Sequence, residues 1–552
     1  MAAKQSAYQP HIHRSKPVIN NDQHLAELLQ SVEITSHSYT LPLLKDFIGR
    51  QADVQQAISL WQQLRPRSSA RVMAIVGQAG VGKSAFALHL AHQLKPLFPD
   101  AQIYLNLRAD QLASPGTVTQ QLLGALSATD LHQLSNRRIL LLLDHLEDQA
   151  QLRPLLALGT TCTILVTSRQ PLSETATLEL QPMSISDALL LLQAIAPSKS
   201  IQSEPKTARA IARLCDALPL PLRIVAGLLQ TQPELQPGNC LQLLSDERQR
   251  CEQANLSYPA ICASFNLSYQ HLEAEPARLL RLIGLLAEPN FTLKIAAALT
   301  EMSIDTTQAS IAQLLSMHLL EFVSKERYRL PSLLLRLVKR QLAIVESSET
   351  RQSARLRLSQ IYQETAETIS SGLGASYHQL SQHRGQLNAT QVKDRITFKQ
   401  LSLNAQSWFE IERPNLLAVL NWAIQAEAWQ SVLPTVVSVT QFVDRRGDRS
   451  DWKTILLAAI AAAKGWVSDS KLHNCSITQA IFTCNTVTGK KPKSSISRAS
   501  KFYTNFRNHS RNRKRWQISA LSILSRTLMK RPQHSGQPHW HACLLTQPLN
   551  TP

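Results

Sequence analysis

At 552 residues the chain is too long for one hydrophobic core, because chains divide into domains beyond roughly 250–300 residues. Its 44% hydrophobic and 18% charged content is that of packed globular protein and excludes a wholly disordered chain. The net charge of +19 invites a nucleic-acid partner, but residues 466–552 alone hold 14 Lys and Arg against a single acid, Asp469, so the rest is only mildly basic.

No apolar run reaches the roughly 18 residues of a membrane helix, and no basic-then-apolar leader opens the chain. A cytoplasmic protein without a membrane partner is expected. The eight cysteines form no CxxC pair, which argues for buried thiols over a zinc site or disulfide framework. His11/His13 and His539/His541 lack partners at ligand spacing.

Residues 1–42 are a polar extension. Beyond it, Val72–Val76, Gln102–Leu105, Ile139–Leu143 and Thr163–Thr167 are short apolar runs separated by helical stretches. Ala87, Leu90, Ala91 and Leu94 share one helix face. This alternation predicts an α/β domain, with a parallel sheet covered by helices on both faces, over residues 43–185. After residue 185 the strand signals fade. A small helical domain is expected over 186–258, with helices at Ser186–Ala196 and Thr207–Leu229, the latter interrupted at Pro219 and Pro221. Residues 259–345 hold short helices and "EFVSKERYRLP", which reads as two paired strands. Residues 346–465 read as helical, and 466–552 as a basic tail whose helical period has decayed.

Three of the chain's 17 glycines fall within six positions. Gly77-Gln78-Ala79-Gly80-Val81-Gly82-Lys83-Ser84 fits G-x-x-x-x-G-K-[ST] between a predicted strand and a predicted helix, the context that makes this phosphate loop credible. Glycines let backbone N–H groups converge on phosphate oxygens, and the helix N-terminus adds positive potential. Lys83 offers a charge to the β- and γ-phosphates, and Ser84 a hydroxyl to Mg²⁺. Asp144, closing "ILLLL", stands where a carboxylate holds Mg²⁺, partly through water; the plainer reading is a helix cap. Arg169, closing "TILVTSR", suits a γ-phosphate; the plainer reading is a surface arginine.

These segments together resemble NB-ARC-type NTPases of the signal-transducing STAND class. "DFIGRQADVQQA" (46–57) is similar to the segment before their phosphate loop, and "FPDAQIYLNLRAD" (98–110) to their second-strand motif. "LLLLDHLEDQAQLRPLLAL" (140–158) and "TILVTSRQPL" (163–172) resemble Walker B and sensor 1, and "LCDALPLPLRIVAGLL" (214–229) the GLPL motif. The resemblance covers about residues 43–345. It implies that Ile48 and Arg50 lie against adenine, that Pro219 covers base and ribose, and that 259–345 is a winged helix closing over ATP or ADP. Residues 405–464, with Trp408, Asn415, Leu416, Trp422 and Trp452, resemble the start of a tetratricopeptide-like array in bacterial members; the aromatics themselves read as core.

Three departures stand out. His145 follows the Walker aspartate where the family has Asp or Asn, which implies slow hydrolysis. The glycine of GLPL is replaced by Ala217. The family's "MHD" signature aligns with Leu330-Pro331-Ser332, so the histidine that bonds the ADP β-phosphate is missing. Losing a charge-assisted hydrogen bond of roughly 1.5–3 kcal/mol loosens ADP about 10- to 150-fold.

The resemblance implies an ATP/ADP-binding signalling switch, at most a slow ATPase, with protein partners or self-association through its helical region. An ATP-controlled DNA-binding regulator and an ATP-driven enzyme are the alternatives. The tail has two readings of its own. One is a nucleic-acid segment with Phe502, Tyr503, Phe506 and Trp516 to stack on bases. The other is a frame disruption after Gly465.

Overall fold

The computed structural model describes residues 41–382 with short gaps, the longest at 108–115, and then one helix and scattered positions between 405 and 436. Expectations placed on residues 1–40 and 437–552, including Trp452 and the basic tail, lie outside the described residues. The chain divides into units 1–426 and 427–552, and every element below belongs to the first.

Strands β1 (Arg71–Val76), β2 (Ala101–Asn106), β3 (Ile139–Leu146), β4 (Thr163–Ser168) and β5 (Ala176–Glu179) form a parallel sheet in the order β2-β3-β4-β1-β5. A strand covered on both faces reads as an unbroken apolar run, and Ile139 to Leu143 are all fully buried. Their side chains divide by the two-residue period of a strand. Leu140 and Leu142 join Met73, Ile75 and the residues of α1 (Gln51–Gln63) and α2 (Lys83–Leu94), whereas Ile139, Leu141 and Leu143 join Ile103, Leu105 and Leu155. Burying such side chains stabilises by roughly 1.5–3 kcal/mol each, which fixes the register of the strand carrying Asp144. Trp61 of α1 donates its indole N–H to Thr163 Oγ1 at 3.1 Å, tying that helix to β4. The four-residue edge strand β5 escaped the sequence reading, because "ATLE" buries only Leu178.

Helices α3 (Ile185–Ile195), α4 (Ser198–Ser203), α5 (Pro205–Leu214), α6 (Pro219–Thr231) and α7 (Pro237–Gln253) follow. The interrupted helix expected at 207–229 is two separate helices. Asp216 and Ala217 take left-handed φ of 54° and 50° between them. Pro219 and Pro221 sit in the first turn of α6, where a missing N–H leaves no carbonyl unserved. Gly227 lets α6 press on the end of α11 (Ile304–Ser316), for a Cβ there would meet the Ser316 carbonyl oxygen at 2.6 Å.

Helices α8 (Pro259–Gln270), α9 (Ala274–Ile283) and α10 (Leu293–Thr300) lead through α11 to the hairpin β7 (Glu321–Ser324) and β8 (Arg327–Arg329). The sequence reading had two strands here. A third, β6 (Asn290–Thr292), adds to β8 in the antiparallel order β6-β8-β7. Tyr328 packs between Phe291 and Phe322, at 6.1 and 6.3 Å. Helices α12 (Ser332–Val345) and α13 (Ser348–Gln382) close the described run.

Helical residues 411–425 attach to this hairpin through a buried polar network. Arg327 of β8 pairs with Glu412, with side chains 7% and 1% exposed. The Tyr362 hydroxyl of α13 donates to Glu412 at 2.6 Å. Asn415 exchanges two hydrogen bonds with the Glu288 backbone, at 3.0 and 3.1 Å. Trp408 is buried as core, as its position implied.

Breaking a buried ion pair from one side leaves an uncompensated charge and costs about 3–5 kcal/mol. Arg327→Ala is therefore expected to lower the urea unfolding midpoint by that equivalent, and Glu412→Gln by less. The five described cysteines, Cys162, Cys215, Cys240, Cys251 and Cys262, are all free and buried. Burial raises each thiol, Cys240 to about 12 and Cys251 to about 11. Iodoacetamide at pH 8 followed by peptide mass mapping should leave these five unmodified until the chain is denatured.

Candidate nucleotide site

β1 ends at Val76 and α2 starts at Lys83, so the glycine-rich loop bridges a strand and a helix N-terminus as its sequence predicts. Gly80 and Gly82 adopt left-handed φ of 82° and 93°, a region that L side chains rarely enter. A side chain at Gly80 would also be crowded, and one at Gly82 would be in ordinary contact. A Cβ on Gly80 would lie 3.1 Å from Ile261 Cδ1, and one on Gly82 would lie 3.4 Å from Pro219 Cγ. Ala79 and Val81 are buried in the loop. The Lys83 ammonium donates to the carbonyls of Gly77 and Gln78 at 2.7 and 2.9 Å. Burial, then the charge of Arg169, lowers its pKa to about 8 against the opposing pull of Asp144. Arg169 thus stands within electrostatic reach of the loop lysine.

Asp144 is 2% exposed at the carboxyl end of β3. Its Oδ1 accepts from Ser84 Oγ at 2.8 Å and from Thr167 Oγ1, and its Oδ2 accepts from the Tyr104 hydroxyl at 3.0 Å. Burial alone would raise this carboxyl. The adjacent His145 and the Thr167 and Ser84 hydroxyls outweigh burial and hold it at about 2. Burial and Asp144 in turn push the Tyr104 phenol well above its ordinary value. Tyr104 and Thr167 were not singled out in the sequence. Nothing within their own strands marks them out, and only the pairing of β2, β3 and β4 brings them to Asp144.

His145 sits at a left-handed φ of 64°, where the β3–β4 register shifts between Leu143 and Leu146. Its N–H donates to Thr167 Oγ1 at 2.9 Å. Nδ1 lies 3.3 Å from Asp144 Oδ2 but makes no aligned hydrogen bond. Asp148 accepts from the Ala150 N–H at 2.8 Å, as the cap of a short helical turn. Glu147 is exposed.

Arg50 is buried at 4% exposure. Its guanidinium donates to the Val81 and Gln181 carbonyls, each at 2.9 Å, and to Asp53 at 2.8 Å. The side chain therefore braces the loop from behind. Ile48 is half-buried two residues before it. The segment aligned with the missing histidine is a helix start: Leu330 is buried and Pro331 caps α12.

The residues fit a magnesium nucleotide. The loop has the backbone cradle, and Ser84 with Asp144 makes a hard-oxygen pair. Adjacent ligands of an octahedral Mg²⁺ at 2.0–2.1 Å stand about 2.9 Å apart, close to the 2.8 Å between these two oxygens. Among the described residues no group of three or more His, Cys, Asp or Glu forms a separate metal site.

No protein-family model matches the chain. Regulatory protein AfsR of Streptomyces coelicolor is 33% identical over 340 residues, covering 56% of this chain and 34% of that protein. AfsR of Streptomyces griseus is 34% identical over 303 residues, covering 51% and 31%. The chain thus spans about a third of the length of these curated relatives. Solved structures are similar only loosely. A Signal Transduction ATPase with Numerous Domains (STAND) protein with a tetratricopeptide repeat sensor from Pyrococcus horikoshii is 13% identical at a TM-score of 0.41, covering 90% of this chain and 73% of that one. Thermotoga maritima RuvB is 14% identical at a TM-score of 0.21, covering 53% and 95%. The chain is thus similar to the AfsR regulators over more than half of its length, on a parallel sheet that carries a phosphate loop and an aspartate at the end of the adjoining strand.

Proposed function

We propose that the chain is an ATP/ADP-binding signalling switch in which nucleotide state sets the arrangement of the surrounding domains and self-association, with slow or no hydrolysis. The observation that carries this reading is the cover over the phosphate loop. Pro219 and Leu218 from the start of α6, and Ile261 from α8, stand directly against Gly82 and Gly80. These residues belong to the regions read as the small helical domain, 186–258, and the winged helix, 259–345. A nucleotide entering under them acts on three domains at once.

Lys83 and the loop amides bind and orient phosphates, Ser84 and Asp144 hold Mg²⁺, and Arg169 faces the terminal phosphate. Bound Mg²⁺ neutralises phosphate charge. Hydrolysis is disfavoured by the residues around Asp144. His145 supplies no carboxylate, Asp148 is turned into a cap, and Glu147 is exposed. Ligand at a thousand times its Kd shifts a two-state equilibrium by about 4 kcal/mol, near the roughly 5.5 kcal/mol of a full 1:99 to 99:1 switch. Binding alone nearly suffices. Protein partners or a second copy are assigned to the helical region, and a cytoplasmic location fits a described chain in which no helix is long and apolar enough to cross a membrane.

A second reading, an ATP-controlled DNA-binding regulator, is favoured by the charge of residues 466–552. Salt-dependent retention on DNA that disappears when 466–552 is removed would select it.

The test is the nucleotide content and mass of purified protein, with calorimetric titration of ATP and ADP. Wild type should bind with micromolar or tighter affinity. Lys83→Ala should lose at least about tenfold, since a charge-assisted hydrogen bond is worth roughly 1.5–3 kcal/mol. Absence of adenine nucleotide binding by folded wild type would refute the proposal.

A further inference from the structure

The nucleotide site occupies the carboxyl ends of the strands. At their amino ends, the length of β1 away and so roughly 17 Å distant, lies a second concavity of about 550 Å³. Sites for small ligands span roughly 300–1,000 Å³. One wall is aromatic. Trp61, in the last turn of α1, and Phe98, ahead of β2, meet edge to face at 6.3 Å. Both are buried, whereas Leu97 beside them is 49% exposed on the same cavity.

Two guanidinium groups share this cavity. Arg71, the first residue of β1, lies over the Trp61 ring at 5.4 Å. It is half-buried, and its Nε is buried with no hydrogen-bond partner. Arg138, just ahead of β3, is exposed on the rim. Among the described residues neither guanidinium forms an ion pair. Stacking on an indole satisfies the face of a guanidinium and leaves its in-plane donors available.

The rim is held by its own hydrogen bonds. The Arg138 N–H donates to Asp100 Oδ2 at 2.7 Å. Thr161 Oγ1 donates to the Arg137 and Ser135 carbonyls at 2.8 and 3.2 Å. Gly159, at a φ of 91°, lets the two loops close, for a Cβ there would meet the Ser135 carbonyl oxygen at 2.6 Å. Thr160 follows it, exposed at the mouth of the cavity.

We propose that this cavity binds a small phosphate monoester with an apolar or aromatic body. Arg71 and Arg138 take the phosphate, the Thr160 hydroxyl adds a donor, and the body lies on Leu97 and the edges of Trp61 and Phe98. Charge selects the phosphate. A phosphate monoester carries about −1.5 to −2 at neutral pH, which two guanidinium groups match, and guanidinium forks suit its oxygens. A carboxylate neutralises one of them only. Exposed Leu97 beside the cations selects an organic ester over the bare ion. This site is separate from the phosphate loop and does not depend on the nucleotide reading.

The test is calorimetry and tryptophan fluorescence on the full-length chain with phenyl phosphate as the probe. Wild type and Lys83→Ala, which weakens the loop's own hold on phosphate, should bind it equally. Inorganic phosphate and benzoate should each bind several-fold more weakly. Arg71→Gln should lose about 10- to 100-fold, the value of a charge-assisted hydrogen bond. Arg138→Glu, at an exposed position, should lose at least about tenfold, and it decides the matter if Arg71→Gln does not fold. Absence of phenyl phosphate binding by folded wild type, or unchanged affinity in Arg138→Glu, would overturn the proposal. Binding lost in Lys83→Ala and kept in Arg138→Glu would overturn it too, by placing the ester in the phosphate loop. Inorganic phosphate or benzoate bound as tightly as phenyl phosphate would overturn the assignment of the ligand as an organic phosphate.

Discussion

The carboxylate of Asp144 is the point on which the rest of the structure turns. A buried charge is tolerated only when its lone pairs are occupied. Here Ser84, Thr167 and Tyr104 occupy them from three different elements. These bonds pin the phosphate loop to β3 and bring β2 and β4 to the same spot. The apolar run Ile139–Leu143 sets the depth at which Asp144 emerges, because every one of its side chains is fully buried. Packing and charge therefore specify a single geometry, with the loop lysine, the aspartate and Arg169 at one end of the sheet.

Around this point the chain is layered by who touches whom. Arg50 braces the loop from behind through the Val81 carbonyl. Leu218, Pro219 and Ile261 press on it from above. The β7–β8 hairpin anchors the helical residues 411–425 through Arg327 and Glu412. The aromatic stack of Phe291, Tyr328 and Phe322 keeps the small sheet intact. His145, at a left-handed φ beside this cluster, marks where backbone strain is stored at the site.

Much of this was legible in the sequence because it is written locally. The phosphate loop is eight consecutive residues with the glycines its backbone requires. Asp144 announces itself by ending an apolar run, and Arg169 by ending the next. Features that depend on residues distant in the chain were not legible. Tyr104 and Asp144 are 40 positions apart and meet only because β2 pairs with β3. Arg327 and Glu412 are each one charge among many until burial singles them out. Arg50 was assigned to the base by resemblance, and the structure engages its guanidinium with the loop. The strands β5 and β6 were missed because four and three residues carry too short a pattern to register.

The account's central claim is that the amides of the loop and the Asp144 cluster together grip a magnesium nucleotide and that this grip acts on the helices that cover the loop. Amide hydrogen exchange on the full-length chain, with and without Mg·ATP, tests it most directly. The account predicts slower exchange across Gly80–Ser84 and altered exchange across the covering segments around Leu218 and Ile261 when nucleotide is added. Identical exchange in both segments at saturating nucleotide would contradict it.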